Sequence, residues 1–340
     1  MIETITRERL VALLNAAAGK RIAVIGDAML DVYLRGDVDR ISPEAPVPVV
    51  RVTERKLALG GAANVAQNIT AIGAACDMVC AIGEDAAGVL VRQMLHEVGA
   101  RTRTVVRVSR QTTTKTRVLA RSQQLVRYDE EDDADFTGAD MDSLLSSALS
   151  AVDAADAVVL EDYNKGLLVP SLITPVISHA RSRGIPVVVD PKYRNFFCYA
   201  GATIFKPNLR ELESALGAEF KLDQAEALPA TFDRLGVEHL LLTLGEKGMA
   251  LLSADGEIGR IPTTAREVYD VVGAGDTVTA YLATMLAAGG TPAEAAVIAN
   301  FAAGVEIGKL GAATVQTDEV IAAYDHFSES VTSGASSPLH

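Results

Sequence analysis

Short apolar runs alternate with amphipathic stretches along most of the chain. Residues 6–17 place apolar side chains at helical spacing, and residues 21–26 (RIAVIG) form a continuous apolar run that ends in glycine. Further strand-like and helix-like segments follow at residues 157–161 with 170–181, at 186–189, and at 203–205 with 208–216. Strands separated by helices of this length predict an α/β fold with a mainly parallel sheet covered on both faces.

Two regions depart from this alternation. Residues 33–38 and 47–52, then 104–108, 115–120 and 123–128, show the short period-two pattern of exposed strands. We expect them to form a small sheet set apart from the main domain, a lid with strands from about 33–53 and 104–128. Its exposed strands make a homodimer plausible. The domain is predicted to span 1–331, with 332–340 a small, polar, disordered tail.

Composition narrows the class of protein. Of the 340 residues, 49% are hydrophobic. The chain has 31 Lys and Arg residues and 44 Asp and Glu residues, which gives a net charge of −13. This acidity argues against nucleic-acid or anionic-membrane partners. The N-terminus lacks a secretory pattern, and no long apolar run is present, so a cytoplasmic location is expected. The three cysteines and five histidines show no zinc-like spacing.

Polar residues recur where the predicted strands end. Asp27 and Asp31 follow the first strand, where they could meet ligand hydroxyls or cap the next turn. At later strand ends come Asp162 and Lys165, Asp190 and Lys192, Asn208 and Glu211, and Thr243 and Gly245. Their recurrence is typical of a ligand crevice at the carboxyl edge of an open α/β sheet.

Two glycine-containing stretches open predicted helices. In Asp270-Val-Val-Gly-Ala-Gly-Asp276, the small residues Gly273, Ala274 and Gly275 lead into a helix whose first amides can face an anion. Asp276 would be a carboxylate beside that anion, as phosphoryl transfer requires of a base; an ordinary glycine turn is the alternative. Gly60 and Gly61 precede Asn64 in the same way, where they would admit a ligand or simply allow helix packing.

The motifs GxxxxGK[ST] and GxGxxG are both absent at the expected places, which disfavours a P-loop ATPase and a dinucleotide dehydrogenase. The chain instead resembles the ribokinase-like carbohydrate kinases, the PfkB family, over nearly its whole length. The resemblance is carried by GGAAN at 60–64, NLRE at 208–211, TLG at 243–245 and DVVGAGD at 270–276. It implies a three-layer α/β/α fold with a small β-sheet lid, and an ATP-dependent sugar kinase.

Within that family, several segments are similar to the heptose 7-phosphate kinases of ADP-heptose and lipopolysaccharide inner-core biosynthesis. They are RISPEAPVPVV at 40–50, TKTRV at 114–118, QQLVR at 123–127, DYNKG at 162–166 and DPK at 190–192. The resemblance implies transfer of phosphate to the anomeric O1 of heptose 7-phosphate by a stand-alone kinase. Tyr193 departs from the glycine expected after DPK. Another sugar kinase of the family, or a non-catalytic sugar or nucleotide sensor, remains an alternative.

The resemblance also implies roles for individual residues. Asp276 would be the general base, with the amides of Gly273, Ala274 and Gly275 facing the transferred phosphoryl group. The sugar would contact Asp31, Gly60, Gly61, Asn64 and Asp190. The phosphate of the sugar would be bound by the cations Lys115, Arg117, Arg127, Lys192 and Arg194. The alternative for each of these cations is a solvated surface charge. ATP would be bound by Asn208, Glu211, Thr243 and Gly245. Glu211 would also bind Mg²⁺, and Asp270 would be either a helix cap or a magnesium partner. The resemblance also implies that a monovalent cation could activate the enzyme, as it does in some members of the family.

Overall fold

A computed structural model describes residues 5–121, 123–222, 228–264, 269, 271–309, 311 and 313–334. Its main sheet has eight strands in the order β14-β13-β12-β11-β10-β9-β1-β4. All neighbours from β4 to β12 are parallel, whereas β13 and β14 complete the edge as an antiparallel pair. The bounds are β1 Arg21–Gly26, β4 Ala75–Val79, β9 Ala157–Glu161, β10 Val187–Asp190, β11 Ile204–Phe205, β12 His239–Thr243, β13 Met249–Ser253 and β14 Ile258–Ile261.

Helices cover both faces of this sheet. Alternate residues of β1 point to opposite faces, so Ile22 and Val24 join one hydrophobic cluster while Ala23 and Ile25 join the other. The helices are α1 Arg7–Ala17, α2 Ala62–Ile72, α3 Ala86–Glu97, α4 Gly138–Asp153, α5 Pro170–Ser182, α6 Leu209–Leu216, α7 Leu228–Leu235, α8 Ala274–Ala287, α9 Pro292–Glu306 and α10 Thr317–Gly334. The three-layer α/β/α fold expected from the sequence is therefore confirmed.

A separate four-stranded sheet has the order β3-β2-β7-β8. Its strands are β2 Ala28–Ile41, β3 Pro48–Gly61, β7 Thr114–Ala120 and β8 Gln123–Glu130. β2 and β3 are longer than the sequence pattern indicates: β2 begins two residues after β1 ends, and β3 runs directly into α2. The small sheet is thus tied at both ends to elements that carry predicted site residues.

One predicted lid strand lies elsewhere. The segment at 104–108 yields β6 (Val106–Val108), which pairs with β5 (Ala81–Gly83) in a two-stranded sheet and not with the small four-stranded sheet. Val108 is buried in the core cluster beside α4, so burial against the main domain determines its position. Of the predicted tail, residues 332–334 lie in α10, and 335–340 lie outside the described residues. In the described part of the chain, no helix is long and apolar enough to span a bilayer.

Candidate active site

The first turn of α8 lies at the carboxyl edge of the main sheet. Its N-cap, Gly273, has φ 98°, a left-handed conformation that glycine adopts without steric cost. Asp276 lies in the first turn and is only 6% exposed. The first amides of a helix have no intrahelical partner, so this turn combines N–H donors with a buried carboxylate.

Both carboxylate oxygens of Asp276 accept hydrogen bonds. The Asn64 amide donates to Oδ2 over 2.7 Å, and the Tyr163 hydroxyl donates to Oδ1 over 2.9 Å. Burial raises the pKa of Asp276 to about 6, and nearby Asp190 adds to the rise, while the bonds from Asn64 and Tyr163 oppose it. A carboxylate with a pKa close to neutral is well matched to general-base catalysis.

Tyr163 was not singled out by the sequence reasoning, although it lies inside the DYNKG segment. Asp27 holds this segment in place, because Asp27 Oδ2 accepts hydrogen bonds from the amides of Tyr163 (2.9 Å) and Lys165 (3.0 Å). Asp27 thus anchors a distant segment, which is neither of the two roles expected for it from the sequence. Tyr163 also lies close to Gly61, where an added Cβ would sit 3.4 Å from the ring.

Replacing Tyr163 with phenylalanine should move the acid limb of the pH–rate profile upward. The Tyr163 hydroxyl stabilises the ionised form of Asp276, so its loss raises the pKa of that carboxyl further above its usual range. A hydrogen bond to a charged group corresponds to about one pH unit or more. The measurement is kcat/KM from pH 5 to 9, and an unmoved acid limb would show that Tyr163 does not tune Asp276.

Three buried carboxylates meet at this place. One oxygen from each of Glu161, Asp190 and Asp276 lies within 4.8 Å of the others. Lys206, which is 3% exposed, donates to Asp190 Oδ2 over 2.7 Å. An added Cβ on Gly275 would lie 3.6 Å from Lys206 Nζ, so the ammonium group faces the first turn of α8. Sequence reasoning missed Glu161, which directly precedes Asp162, and Lys206, which lies two residues before Asn208.

The NLRE segment forms a helix cap. Asn208 Oδ1 accepts from the Glu211 amide and Glu211 Oε2 from the Asn208 amide, both over 2.9 Å. Glu211 Oε1 is bound by Lys192 over 2.6 Å, and the Lys192 ammonium lies 5.4 Å from the Tyr163 ring centroid. Burial lowers the pKa of Lys192, but Asp190 and Glu211 outweigh it and raise that pKa above its usual value. Lys192 thus lies between the NLRE cap and Tyr163.

The predicted nucleotide residues are neighbours on the same edge. Thr243 ends β12 and forms a bridge with Asn208. Gly245 follows with φ 62°, and an added Cβ there would meet no atom within 4 Å. The edge is therefore open beside Gly245. Asp270, the remaining residue proposed for this side, lies outside the described residues.

On the sugar side, Asp31 packs against the paired glycines. A Cβ on Gly60 would lie 2.6 Å from Asp31 Oδ2, and one on Gly61 would lie 2.4 Å from the Asp27 carbonyl oxygen. The two glycines thus serve the packing of the protein itself, and they also bring Asp31 against the start of α2. Arg117 on β7 donates to Asp31 Oδ1 over 2.5 Å.

The other cations proposed for the substrate phosphate are paired with acids. Lys115 contacts Asp129 at 2.8 Å and Glu131 at 2.9 Å, and Arg127 contacts Asp129 at 3.1 Å. Arg194 forms a salt bridge with Asp133. A phosphate bound by any of them would have to join or replace these carboxylates. Lys165 also pairs with Glu131, at 2.8 Å, so the segment that carries Tyr163 is linked to the small sheet through Lys115.

The model of the pfkB family carbohydrate kinases matches residues 20–319. The bifunctional protein HldE of Rhodospirillum rubrum is 43% identical over 319 residues, which cover 92% of this chain and 64% of that protein. The HldE of Shewanella piezotolerans is 44% identical over 302 residues, covering 88% and 62%. The chain thus spans less than two thirds of the length of these relatives.

Solved structures show the same fold at low identity. The Arabidopsis thaliana ribokinase complexed with ribose and ATP aligns with a TM-score of 0.73 and 22% identity, covering 90% of this chain and 98% of the other. The phosphofructokinase-2 of Escherichia coli in complex with potassium gives a TM-score of 0.74 and 18% identity, covering 91% and 99%. Both structures share the ribokinase-like arrangement of a main sheet between helix layers.

Proposed function

The chain belongs to the pfkB family of carbohydrate kinases, and we propose that it transfers the γ-phosphoryl group of ATP to O1 of D-glycero-D-manno-heptose 7-phosphate. The product would be heptose 1,7-bisphosphate, on the route to ADP-heptose and the lipopolysaccharide inner core. The observation that carries the kinase chemistry is Asp276, a buried carboxylate with a pKa of about 6 at a helix start. The heptose-kinase segments and the 43% identity to an HldE protein support the choice of sugar.

Asp276 acts as the base in this proposal. Asn64 and Tyr163 each donate to a different oxygen of Asp276, so the carboxylate is held in one orientation. The sugar lies between Asp31 and Asp276 and presents its anomeric hydroxyl to Asp276. Proton removal in the transition state makes the oxygen a better nucleophile towards phosphorus.

The charge that develops on the transferred phosphoryl group requires fixed donors. The start of α8 carries the amides of Gly273, Ala274 and Gly275, and Lys206 faces Gly275. These groups are in position before reaction, so little reorganisation accompanies charge transfer. Asn208, Thr243 and Gly245 lie further along the same sheet edge, where the rest of ATP is proposed to bind.

The substrate phosphate needs cations in an otherwise acidic protein. Two of the candidates lie against other proposed site residues: Lys192 lies over the Tyr163 ring, and Arg117 donates to Asp31. Arg194, Lys115 and Arg127 are proposed to join them by exchanging their present carboxylate partners for phosphate oxygens. Such an exchange would draw the small sheet towards the main domain and exclude water from the reacting groups.

Mg²⁺ is proposed as the companion of ATP, and it would offset charge on the ATP phosphates. Among the described residues, the carboxylates that fit an oxygen-seeking divalent ion are Glu161, Asp190 and Asp276. Glu211, the ligand expected from the sequence, has both carboxylate oxygens engaged by Lys192 and Asn208. The homodimer stays a prediction, supported by exposed apolar side chains on the small sheet at Val38, Ile41, Val52, Val126 and Tyr128.

A coupled ADP-release assay over matched sugars tests the proposed function. The panel is heptose 7-phosphate, the same heptose without phosphate, fructose 6-phosphate and ribose, each with ATP and Mg²⁺. We expect the highest kcat/KM for heptose 7-phosphate and a clear loss when its phosphate is absent. Preference for another sugar would assign the chain to a different kinase of the family. Ligand-induced thermal stabilisation without ADP release would indicate a sensor.

A further inference from the structure

Glu161, the last residue of β9, is a buried acid that has no hydrogen-bond partner among the described residues. Its exposed fraction is 0%, and neither carboxylate oxygen is hydrogen-bonded to any residue that the structure describes. Transfer of an ionised carboxylate from water into a protein interior is costly unless another charge compensates it. Such a group in a folded protein takes up a proton or binds a cation.

The surroundings of Glu161 match the dimensions of a small divalent ion. One oxygen each of Glu161, Asp190 and Asp276 lies within 4.8 Å of the other two. In an octahedral Mg²⁺ complex with metal–oxygen bonds of about 2.1 Å, ligand oxygens are separated by about 3.0 Å when adjacent and about 4.2 Å when opposite. The limit of 4.8 Å is only slightly above the larger of these two separations.

The local charge also favours a divalent ion. The three carboxylates carry −3 when ionised, and the ammonium group of Lys206, bound to Asp190, reduces this to −2. Lys192 does not change the sum, because its ammonium group is matched by Glu211. A single divalent cation would therefore neutralise the cluster.

The two acids with most capacity for a cation are Glu161 and Asp190. Asp276 already accepts hydrogen bonds at both oxygens, from Asn64 and Tyr163, which leaves it one further lone pair on each. Asp190 is bound by Lys206 at Oδ2, so Oδ1 is the atom it can offer. Glu161 can offer both of its oxygens.

We propose that Glu161 and Asp190, with Asp276 facing them, bind a divalent cation of the Mg²⁺ or Mn²⁺ type directly and without nucleotide. Glu161 is the ligand that distinguishes this site from one built on the NLRE segment. The use of the cation in phosphoryl transfer rests on the proposed function, whereas its binding does not. A cation held here would lie beside Asp276 and the first turn of α8, where the phosphoryl group is proposed to arrive.

Mn²⁺ titration of the intact, nucleotide-free chain tests the site, with free Mn²⁺ measured by electron paramagnetic resonance. We expect one Mn²⁺ per chain, competed by Mg²⁺. Glu161→Gln should weaken binding by at least about tenfold, since loss of a residue that only orients a ligand already costs that much. Glu211→Gln should change the affinity by less than about twofold. Glu306→Gln, at a glutamate on α9 that is 1% exposed and outside the cluster, is the control for loss of a buried acid.

Two results would overturn the site: absence of stoichiometric Mn²⁺ binding to the wild-type chain, or unchanged binding in Glu161→Gln. Loss of binding in Glu211→Gln but not in Glu161→Gln would move the cation to the NLRE segment and also overturn it. If Glu161→Gln does not fold, Asp276→Asn provides the second variant, in which binding should again weaken. ADP release from heptose 7-phosphate is measured separately, so failure of the cation site and failure of the proposed kinase are distinguishable.

Discussion

Replacing Asp276 with asparagine should lower kcat by about two orders of magnitude or more, the scale of a lost general base. Asparagine has nearly the same shape and can still accept a hydrogen bond from Asn64, but it cannot take a proton from the sugar hydroxyl. Binding of the sugar, and of ATP in the absence of a divalent cation, should therefore remain close to wild type. The measurements are kcat from ADP release and the two dissociation constants from calorimetry.

The same substitution should not weaken the fold at pH 7. Burial raises the pKa of Asp276 from its usual 3.8 to about 6, so the folded chain holds this proton more tightly than the unfolded chain. The contribution of Asp276 to stability is thus fully present below about pH 4 and is lost as the pH rises through 6. Asparagine removes the cost of ionisation. Near-normal turnover in a folded Asp276→Asn variant would contradict the role of Asp276 as the base.

Replacing Lys206 with methionine should lower the free energy of unfolding by about 3 kcal/mol or more. Lys206 is almost completely buried and paired with Asp190, and removal of one partner from a buried ion pair leaves the other charge uncompensated. Here Glu161 and Asp276 lie beside the stranded carboxylate, which adds repulsion. Urea denaturation at pH 7 measures the effect.

Lys192→Met is the matched control for Lys206→Met. It also removes a lysine paired with a carboxylate at the same sheet edge, but Lys192 and Glu211 keep 30% and 21% of their side-chain surface exposed. Partly solvated pairs contribute roughly 1 kcal/mol or less. Equal losses of stability in the two variants would show that burial does not make the Lys206–Asp190 pair more important for the fold than the Lys192–Glu211 pair.

Much of the fold could be predicted because its signals are local. The apolar runs that became β1 and β9 are recognisable from residues within one segment. The pairing of β6 was not predictable in this way. A three-residue strand has the same alternating pattern in either sheet, and its partner β5 is chosen by the burial of Val108 in the main core.

The residues of the candidate site likewise differ in whether a local sequence pattern marks them. Asn64 and Asp276 are 212 positions apart, yet each begins a helix with a recognisable small-residue turn, and they meet at 2.7 Å. Tyr163, Glu161 and Lys206 carry no comparable pattern. Their importance comes from the convergence of side chains on Asp276 and Asp190, which only the packed structure reveals. Glu211 stays a predicted metal ligand, and the structure adds that its carboxylate oxygens are engaged by a helix cap and by Lys192.

Phosphorus NMR of the product is the most direct test of the proposal that Asp276 serves the transfer of phosphate to O1 of heptose 7-phosphate. After reaction of heptose 7-phosphate with ATP, we expect a second sugar phosphate resonance, coupled to the anomeric proton, and equimolar ADP. The same resonance should be nearly absent with Asp276→Asn at equal protein and time. A new phosphate at another carbon, or ATP turnover without a new sugar phosphate, would contradict it.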